Sequence, residues 1–183
     1  MELFIVIAVV VVAAIWAIAA RNGFVTLAAQ IDNGWAQVEV QLKRRYDLIP
    51  NLVETVKGYR DHERETLEAV IEARNRAQSA GTPAEQGMAE GLLGAALGKI
   101  FALAEAYPEL KADANFRQLT EELGNTENRI AYARQHYNDV VTVYNARRQM
   151  IPWSLMAGGF GKRDLFDIPD DSPAHEAVKV SFD

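Results

Sequence analysis

The chain has 183 residues, no cysteine and a formal net charge of −6 at pH 7. This length fits one domain with appendages, and the lack of cysteine excludes disulfides, iron–sulfur clusters and thiolate zinc sites. Acidic and basic residues are mixed along the chain without a basic footprint, so we expect no nucleic-acid partner.

An unbroken apolar run extends from Leu3 to Ala20. As a helix it would be about 27 Å long, close to the ~30 Å hydrocarbon thickness of a bilayer. The run predicts a transmembrane anchor in residues 1–22, with the lipid bilayer as a partner. A cleaved signal peptide is the alternative, because Ala17-Ile18-Ala19 resembles a cleavage site. The predicted anchor residues are Leu3, Phe4, Ile15, Trp16 and Ala20.

The charges that flank this run indicate its orientation. Glu2 precedes the run and Arg21 follows it. Basic residues favour the cytoplasmic side of a membrane. We therefore expect a single-pass protein with its N-terminus outside and residues 23–150 forming a cytoplasmic helical bundle.

A heptad seam follows the anchor and predicts a long amphipathic helix. Asn22-Gly23 predicts a hinge, so this helix should begin near Thr26. Pro50 predicts a kink, because the heptad phase continues through it; a new helix capped by Asp47 is the alternative. Beyond the seam the pattern stays helical to about Gln78. The seam comprises Ile31, Trp35, Val38, Leu42, Arg45, Ile49, Leu52, Val56 and Tyr59, with a breach at Arg45 that neighbouring Tyr46 can fill.

A glycine-rich helix is predicted from Pro83 to about Ala106. Thr82 and Glu85 form a capping box around a proline at the first helical position. The helix is apolar nearly all round, and its glycines are unfavourable unless a neighbouring backbone packs close. We expect it to be buried within the bundle or between subunits, with a second membrane segment as the alternative. The predicted oligomer or close-packing contacts are Gly91, Leu92, Gly94, Leu97, Gly98 and Phe101.

The last long helix is predicted from about Asp113 to Gln149. Its seam alternates steps of three and four over five heptads, which is typical of coiled-coil packing. It matches the first long helix in length, so the two should lie antiparallel. The predicted class is therefore all-α: an N-terminal transmembrane helix followed by an antiparallel bundle of long helices. The seam comprises Phe116, Leu119, Leu123, Thr126, Ile130, Ala133, Tyr137, Val140, Tyr144, Arg147 and Ile151.

Residues 151–183 are predicted to form an apolar cap segment and an acidic tail. The stretch Ile151–Phe160 is apolar but too short to span a membrane. It either caps the bundle, inserts at an interface or touches the membrane surface. The predicted interaction patch consists of Pro152, Trp153, Leu155 and Phe160.

The sequence contains no recognisable set of catalytic or metal-binding residues. Di-iron helical bundles need two Glu-x-x-His motifs, and no glutamate stands three residues before His62, His136 or His175. A phosphate-binding glycine loop and a nucleophile elbow are also missing. We therefore predict no enzymatic activity, no metal and no cofactor.

Four motifs resemble the LemA family: Gln37–Tyr59 (QVEVQLKRRYDLIPNLVETVKGY), Glu105–Ala112 (EAYPELKA), Glu121–Ala131 (EELGNTENRIA) and Tyr137–Asn145 (YNDVVTVYN). The resemblance covers nearly the whole chain. It implies an N-terminal membrane anchor and a cytoplasmic antiparallel helical bundle at a bacterial inner membrane, and it brings no catalytic residues. The stretch Gly91–Gly98 is richer in glycine than the family pattern.

Two functional hypotheses follow. The first is a membrane-anchored scaffold that self-associates into a homo-oligomer at the cytoplasmic face of the inner membrane. It rests on apolar helical surface beyond what one thin bundle can hide. The alternative is a monomeric adaptor that presents its bundle end or its tail to a membrane protein partner, such as a membrane protease or an envelope-stress factor.

Overall fold

The computed structural model describes residues 1–58 and 64–169. Helices account for 85% of these residues, and this part of the chain contains no strand, which confirms the predicted all-α class. A short 3-10 helix, Trp153–Met156, follows the last α-helix. The α-helices are α1 (Glu2–Lys57), α2 (Arg64–Gln78), α3 (Pro83–Ala106), α4 (Pro108–Ala112) and α5 (Ala114–Gln149).

Helix α1 is one uninterrupted helix of 56 residues. The hinge predicted at Asn22-Gly23, and the helix start near Thr26, are therefore wrong. The Thr26 hydroxyl donates to the Asn22 carbonyl at 3.0 Å within the continuous helix. A single glycine lowers helix stability by only about 1 kcal/mol relative to alanine, which good helix formers on both sides can offset.

Helix α1 also continues through Pro50, so the alternative of a new helix capped by Asp47 is wrong, and the kink stays a prediction. Pro50 lies on the exposed face of α1, whereas Ile49 beside it is fully buried. Trp35 is half-buried, and Tyr59 lies outside the described residues. The buried members of the predicted seam are Ile31, Val38, Leu42, Arg45, Ile49, Leu52 and Val56.

Helix α2 is a separate helix and not an extension of α1. The first helix ends at Lys57, and Gly58 forms a turn. The Arg74 Nε then donates to the Tyr46 carbonyl at 2.8 Å, across 28 positions of sequence. Helix α2 packs on α3 and ends at Gln78, the predicted end of this helical stretch.

Local capping signals set the bounds of α3 and α5. The Glu85 backbone N–H donates to the Thr82 hydroxyl at 3.2 Å, and the Thr82 N–H donates to the Glu85 carboxylate at 3.2 Å. This reciprocal pair confirms the predicted capping box. The Asp113 carboxylate accepts from the Phe116 N–H at 2.8 Å and caps α5. The short helix α4 between them was not predicted.

The chain divides into two compact units. Unit 1 comprises Met1–Glu39 and Ala131–Leu165. Within it, the Phe24 and Tyr144 rings meet edge to face with their centroids 6.0 Å apart, and the ring centroids of Trp35 and Tyr137 are 5.3 Å apart. Later residues of α1 therefore meet earlier residues of α5, so the two helices run antiparallel in this unit.

Residues 160–165, the return segment, run back along α5 in unit 1. Polar side chains of α5 donate to its carbonyl groups. The bonds are Arg148 Nε to Phe160 O at 2.8 Å, Tyr144 OH to Gly161 O at 3.0 Å, Asn145 Nδ2 to Arg163 O at 2.8 Å and Tyr137 OH to Asp164 O at 2.8 Å. These bonds satisfy backbone groups of a segment that has no regular secondary structure.

Unit 2 comprises Val40–Ile130 and Phe166–Asp183. Arg45 of α1 pairs with Glu127 of α5 at 2.9 Å. Residues 166–169, the C-terminal segment, pack on α3, with Phe166 fully buried. The other large apolar side chains of this core include Ile49, Leu52, Val70, Leu93, Ile100 and Leu110.

Helix α5 buries most of its predicted seam. Phe116, Leu123, Ile130, Tyr137 and Tyr144 are buried. The last predicted seam residue, Ile151, is wrong: it lies beyond the helix end at Gln149 and is 82% exposed. The reason is that the chain leaves the helix at Met150 and turns into the 3-10 helix.

Candidate functional site

The first turns of α1 form an apolar surface with little cover. Leu3, Phe4 and Ile15 are 70%, 78% and 63% exposed, whereas Trp16 is half-buried and Ala20 is buried. By length and composition α1 can cross a membrane, and only 6% of its most apolar stretch is buried. Helix α3 meets the same criteria, but 39% of its apolar stretch is buried, which is typical of a core helix. Helix α1 is thus the candidate membrane span.

Helix α3 packs closely on two sides. Leu93, Leu97 and Ile100 point into the core of unit 2. On a second side, a Cβ atom at Gly87 would lie 1.8 Å from the Asp167 carbonyl oxygen. Real Cβ atoms do not come this close to another atom, so this contact requires glycine at position 87.

The third side of α3, which we call the outer face, is exposed and apolar except for Lys99. Met88 and Leu92 are 55% and 51% exposed. Exposed apolar surface is typical of interaction sites. Gly98 lies beside this face, on the same side of the helix as Gly87, and a Cβ atom there would meet nothing within 4 Å. The outer face consists of Met88, Leu92, Ala95, Lys99 and Ala102, spaced by three or four residues and all exposed.

The structure separates the contact residues predicted on α3. Leu92 lies on the outer face, Gly98 is exposed beside that face, and Leu97 is in the core. A Cβ at Gly91 would lie 3.7 Å from Ile168 of the C-terminal segment, and one at Gly94 would lie 4.0 Å from the Arg45 guanidinium. Phe101 is half-buried and lines an open cavity of about 430 Å³ beside α4 and α5. Only part of the predicted set is therefore available to a second molecule.

The predicted interaction patch lies in the loop that follows α5, within unit 1. Leu155 is 70% exposed, whereas Pro152, Trp153 and Phe160 are half-buried. The Phe160 ring stacks on Phe24 of α1, with ring centroids 5.1 Å apart. The patch is thus partly an internal contact and partly an exposed apolar loop.

A buried polar cluster joins α1, α3 and α5 in unit 2. The Glu90 side chain is fully buried; its carboxylate accepts from Arg45 Nη1 at 3.1 Å and from the Tyr46 hydroxyl. Gln86 Nε2 lies 3.0 Å from Glu90 Oε1 and 2.7 Å from the Tyr46 hydroxyl. Arg45 also pairs with Glu127, which is about half exposed. Arg45, Tyr46 and Gln86 therefore each donate a hydrogen bond to the Glu90 carboxylate.

Burial sets the protonation of this cluster. Burial raises the pKa of the Glu90 carboxyl, although Arg45 and the donated hydrogen bonds lower it again in part. Burial and the neighbouring Glu90 charge raise the pKa of the Tyr46 phenol, which stays protonated as a donor. The cluster thus ties together side chains of α1, α3 and α5.

Only one feature of the sequence indicates this cluster, the arginine at seam position 45. Glu90 lies in a helix whose apolar pattern predicts burial of the whole helix, and this pattern does not indicate the pairing of Glu90 with Arg45. A buried arginine on a heptad seam requires an acceptor, and Glu90 is the acidic residue on the core side of α3. That requirement could have identified the pair.

The described residues contain no group of three or more histidine, aspartate or glutamate side chains placed to hold a metal ion. His136 is exposed on α5. The other two histidines, His62 and His175, and the acidic residues Asp61 and Glu63, lie outside the described residues.

Comparison with known proteins places this architecture. The family model described as the LemA family matches residues 34–182. The chain is 28% identical to magnetosome protein MamQ 2 of Paramagnetospirillum magneticum, over 79% of this chain and 64% of the relative. It is 27% identical to magnetosome protein MamQ of Magnetospirillum gryphiswaldense, with the same coverage. It is 24% identical to protein LemA of Metamycoplasma hominis, over 76% of this chain and 63% of the relative.

The chain spans less than two thirds of the length of these curated relatives. The family match and the apolar helix α1 together indicate a membrane-associated helical protein. The family match covers well over half of the chain, and the motifs around Gln37–Tyr59 lie within it. The chain belongs to the LemA family.

Proposed function

We propose that this protein is a membrane-anchored scaffold that self-associates through the outer face of α3. Helix α1 spans a bacterial inner membrane once, with its N-terminus outside, and the remainder of the chain lies in the cytoplasm. The observation that carries the proposal is the outer face itself. Met88 and Leu92 remain about half exposed on a helix whose opposite side lies in the core of unit 2.

The composition of the outer face suits a second helix. Ala95 and Ala102 have small side chains, so another backbone can approach closely on both sides of Lys99. Met88 and Leu92 supply apolar area, and full burial of such a side chain contributes about 1.5–3 kcal/mol. Anchoring in one membrane raises the effective concentration of the copies, so even a modest interface can associate.

The buried polar cluster supports a structural role. Burial raises the pKa of Glu90 and of Tyr46, and both side chains lie inside unit 2. Their partners are side chains of the same unit. We propose that they hold α3 in place and that the protein has no catalytic activity.

Cysteine cross-linking tests the proposed interface, because the chain has no cysteine of its own. Met88→Cys, Leu92→Cys and Ala95→Cys each place one thiol on the outer face. Asn128→Cys, on an exposed polar position of α5, is the matched control. Oxidation in native membranes should give a covalent dimer from at least one outer-face variant and none from the control.

Cross-linking of the control alone, or of no variant, would contradict self-association through this face. It would instead favour the monomeric adaptor. The same Asn128→Cys variant tests orientation. A membrane-impermeant maleimide should label it in lysed cells or inverted vesicles but not in spheroplasts, and labelling in spheroplasts would place the units on the outer side.

A further inference from the structure

The loop of residues 150–160 is a compact series of turns at the end of α5. The Ser154 N–H donates to the Met150 carbonyl at 2.8 Å, and the Phe160 N–H donates to the Ala157 carbonyl at 3.0 Å. Arg148 Nε donates to the Phe160 carbonyl at 2.8 Å and closes the loop against the helix end. The loop therefore has a defined position in unit 1.

That position is beside the end of the apolar run of α1. The Arg21 guanidinium lies over the Phe160 ring, 5.6 Å from its centroid, and Phe24 stacks on the same ring. Arg21 directly follows Ala20, the last residue of the apolar run. If α1 spans a bilayer, the loop lies at the level of the lipid headgroups.

The loop is apolar where it is exposed. Ile151 is 82% exposed, Leu155 is 70% exposed and Met150 is 58% exposed. Trp153 is half-buried in the same loop, and tryptophan is enriched at membrane interfaces. Three large apolar side chains held in water on one short loop are unfavourable, whereas the boundary between headgroups and acyl chains accommodates them.

The charge around the loop has one sign. Residues 3–31 and 140–163 contain five basic residues and no acidic residue, in a chain whose net charge is −6. Within the described residues, Arg21, Arg147 and Lys162 take part in no ion pair. Unpaired cations beside a membrane surface attract anionic headgroups.

We propose that the loop 150–160 is a second membrane contact that docks on the anionic bilayer surface next to α1. Ile151 and Leu155 enter the acyl boundary, and Trp153 lies at the interface. Arg21, Arg147 and Lys162 lie near lipid phosphates. The inference rests on membrane anchoring by α1, a part of the proposed function, and does not depend on self-association.

The native tryptophans, Trp16, Trp35 and Trp153, test this contact in the full-length protein. Three variants each keep one of them, with phenylalanine at the other two positions. Each is reconstituted in nanodiscs of phosphatidylcholine and phosphatidylglycerol with brominated acyl chains, which quench nearby indoles. Trp16 reports the span, Trp153 the loop, and Trp35 lies about 22 Å beyond Ala20 along α1.

The expected result is strong quenching of Trp16, several-fold stronger quenching of Trp153 than of Trp35, and weak quenching of Trp35. Adding Ile151→Glu and Leu155→Glu to the Trp153 variant should lower its quenching to the Trp35 level with unchanged helix content. If Trp16 is quenched but Trp153 is quenched no more than Trp35, the proposed membrane contact of the loop is wrong while the anchoring stands. The exposed loop would then be available to a protein partner. Failure of Trp16 to quench would overturn the anchoring as well.

A comparison of two lipid compositions tests the role of the basic residues. Trp153 quenching should be several-fold stronger in nanodiscs with phosphatidylglycerol than in phosphatidylcholine alone, and Arg147→Gln with Lys162→Gln should remove that difference. Equal quenching in both lipids would overturn the role assigned to the basic residues.

Discussion

Two sides of α3 differ in what covers them. On the side that faces the C-terminal segment, Gly87 admits a carbonyl of Asp167 where any Cβ atom would collide. On the outer face, Met88 and Leu92 are 55% and 51% exposed. The first side is covered at Gly87 by the chain's own C-terminal segment, whereas the second is, in our account, covered by a second copy.

The core side of α3 should show the largest effect on stability. Arg45→Met leaves the Glu90 carboxylate buried without its cation. Removing one partner of a buried ion pair lowers stability by about 3–5 kcal/mol. The free energy of unfolding, from urea titration of the protein in mild detergent followed by circular dichroism, checks this value.

The double variant Arg45→Met with Glu90→Met is the control, because it removes the orphaned charge together with its partner. It should be more stable than Arg45→Met alone. A single variant as stable as the wild type would show that the pair does not hold α3 in place.

Gly87→Ala should have the next largest effect. The added methyl group displaces Asp167, and Phe166 beside it loses its buried site. Exposing a phenylalanine lowers stability by about 1.5–3 kcal/mol. Gly98→Ala on the same helix is the matched control and should raise stability by up to about 1 kcal/mol. Equal thermal midpoints for the two variants would refute the close contact between Gly87 and Asp167.

The pH dependence of stability should be a smaller effect. Burial raises the pKa of Glu90 in the folded state above its ordinary value of 4.5. The native state then binds this proton more tightly than the unfolded state. The contribution of the carboxyl to stability is full below pH 4.5 and is lost as pH rises through the folded pKa.

Glu90→Gln removes this titration. The thermal midpoint of Glu90→Gln relative to wild type should therefore rise between acidic and neutral pH. A relative midpoint that stays constant, or that falls over this range, would contradict the raised pKa.

The outer face should show the smallest effect on stability. Met88→Lys with Leu92→Lys places two charges on exposed positions and should change the free energy of unfolding by about 0.5 kcal/mol or less. Asn125→Lys with Asn128→Lys adds the same charge at exposed polar positions of α5. A large destabilisation by the first pair alone would mean that this face is packed within the chain.

Much of the fold could be predicted from local signals. The capping box at Thr82 gave the start of α3, and the heptad pattern gave the buried side of α5. Each of these depends on residues within one or two helical turns. The end of α1 at Lys57 was missed because the sequence keeps a helical pattern beyond it and has no proline between Gly58 and Gln78.

The contacts made by the two segments that follow α5 could not be predicted in the same way. The return segment is held by side chains that donate to its carbonyl groups, as Tyr137 does to Asp164, and such bonds leave no periodic pattern. The close approach of Gly87 to Asp167 joins positions 80 residues apart, with no helix on one side. The predicted set on α3 therefore mixed the inward Leu97 with the outward Leu92.

The mass of the full-length protein in mild detergent, measured by mass photometry, tests the central claim most directly. We predict one species of uniform mass, at least that of a dimer, for the wild type and for Asn125→Lys with Asn128→Lys. Met88→Lys with Leu92→Lys should give monomers under the same conditions. A wild-type protein that remains monomeric at high concentration, or an outer-face variant that assembles like the wild type, would contradict the account.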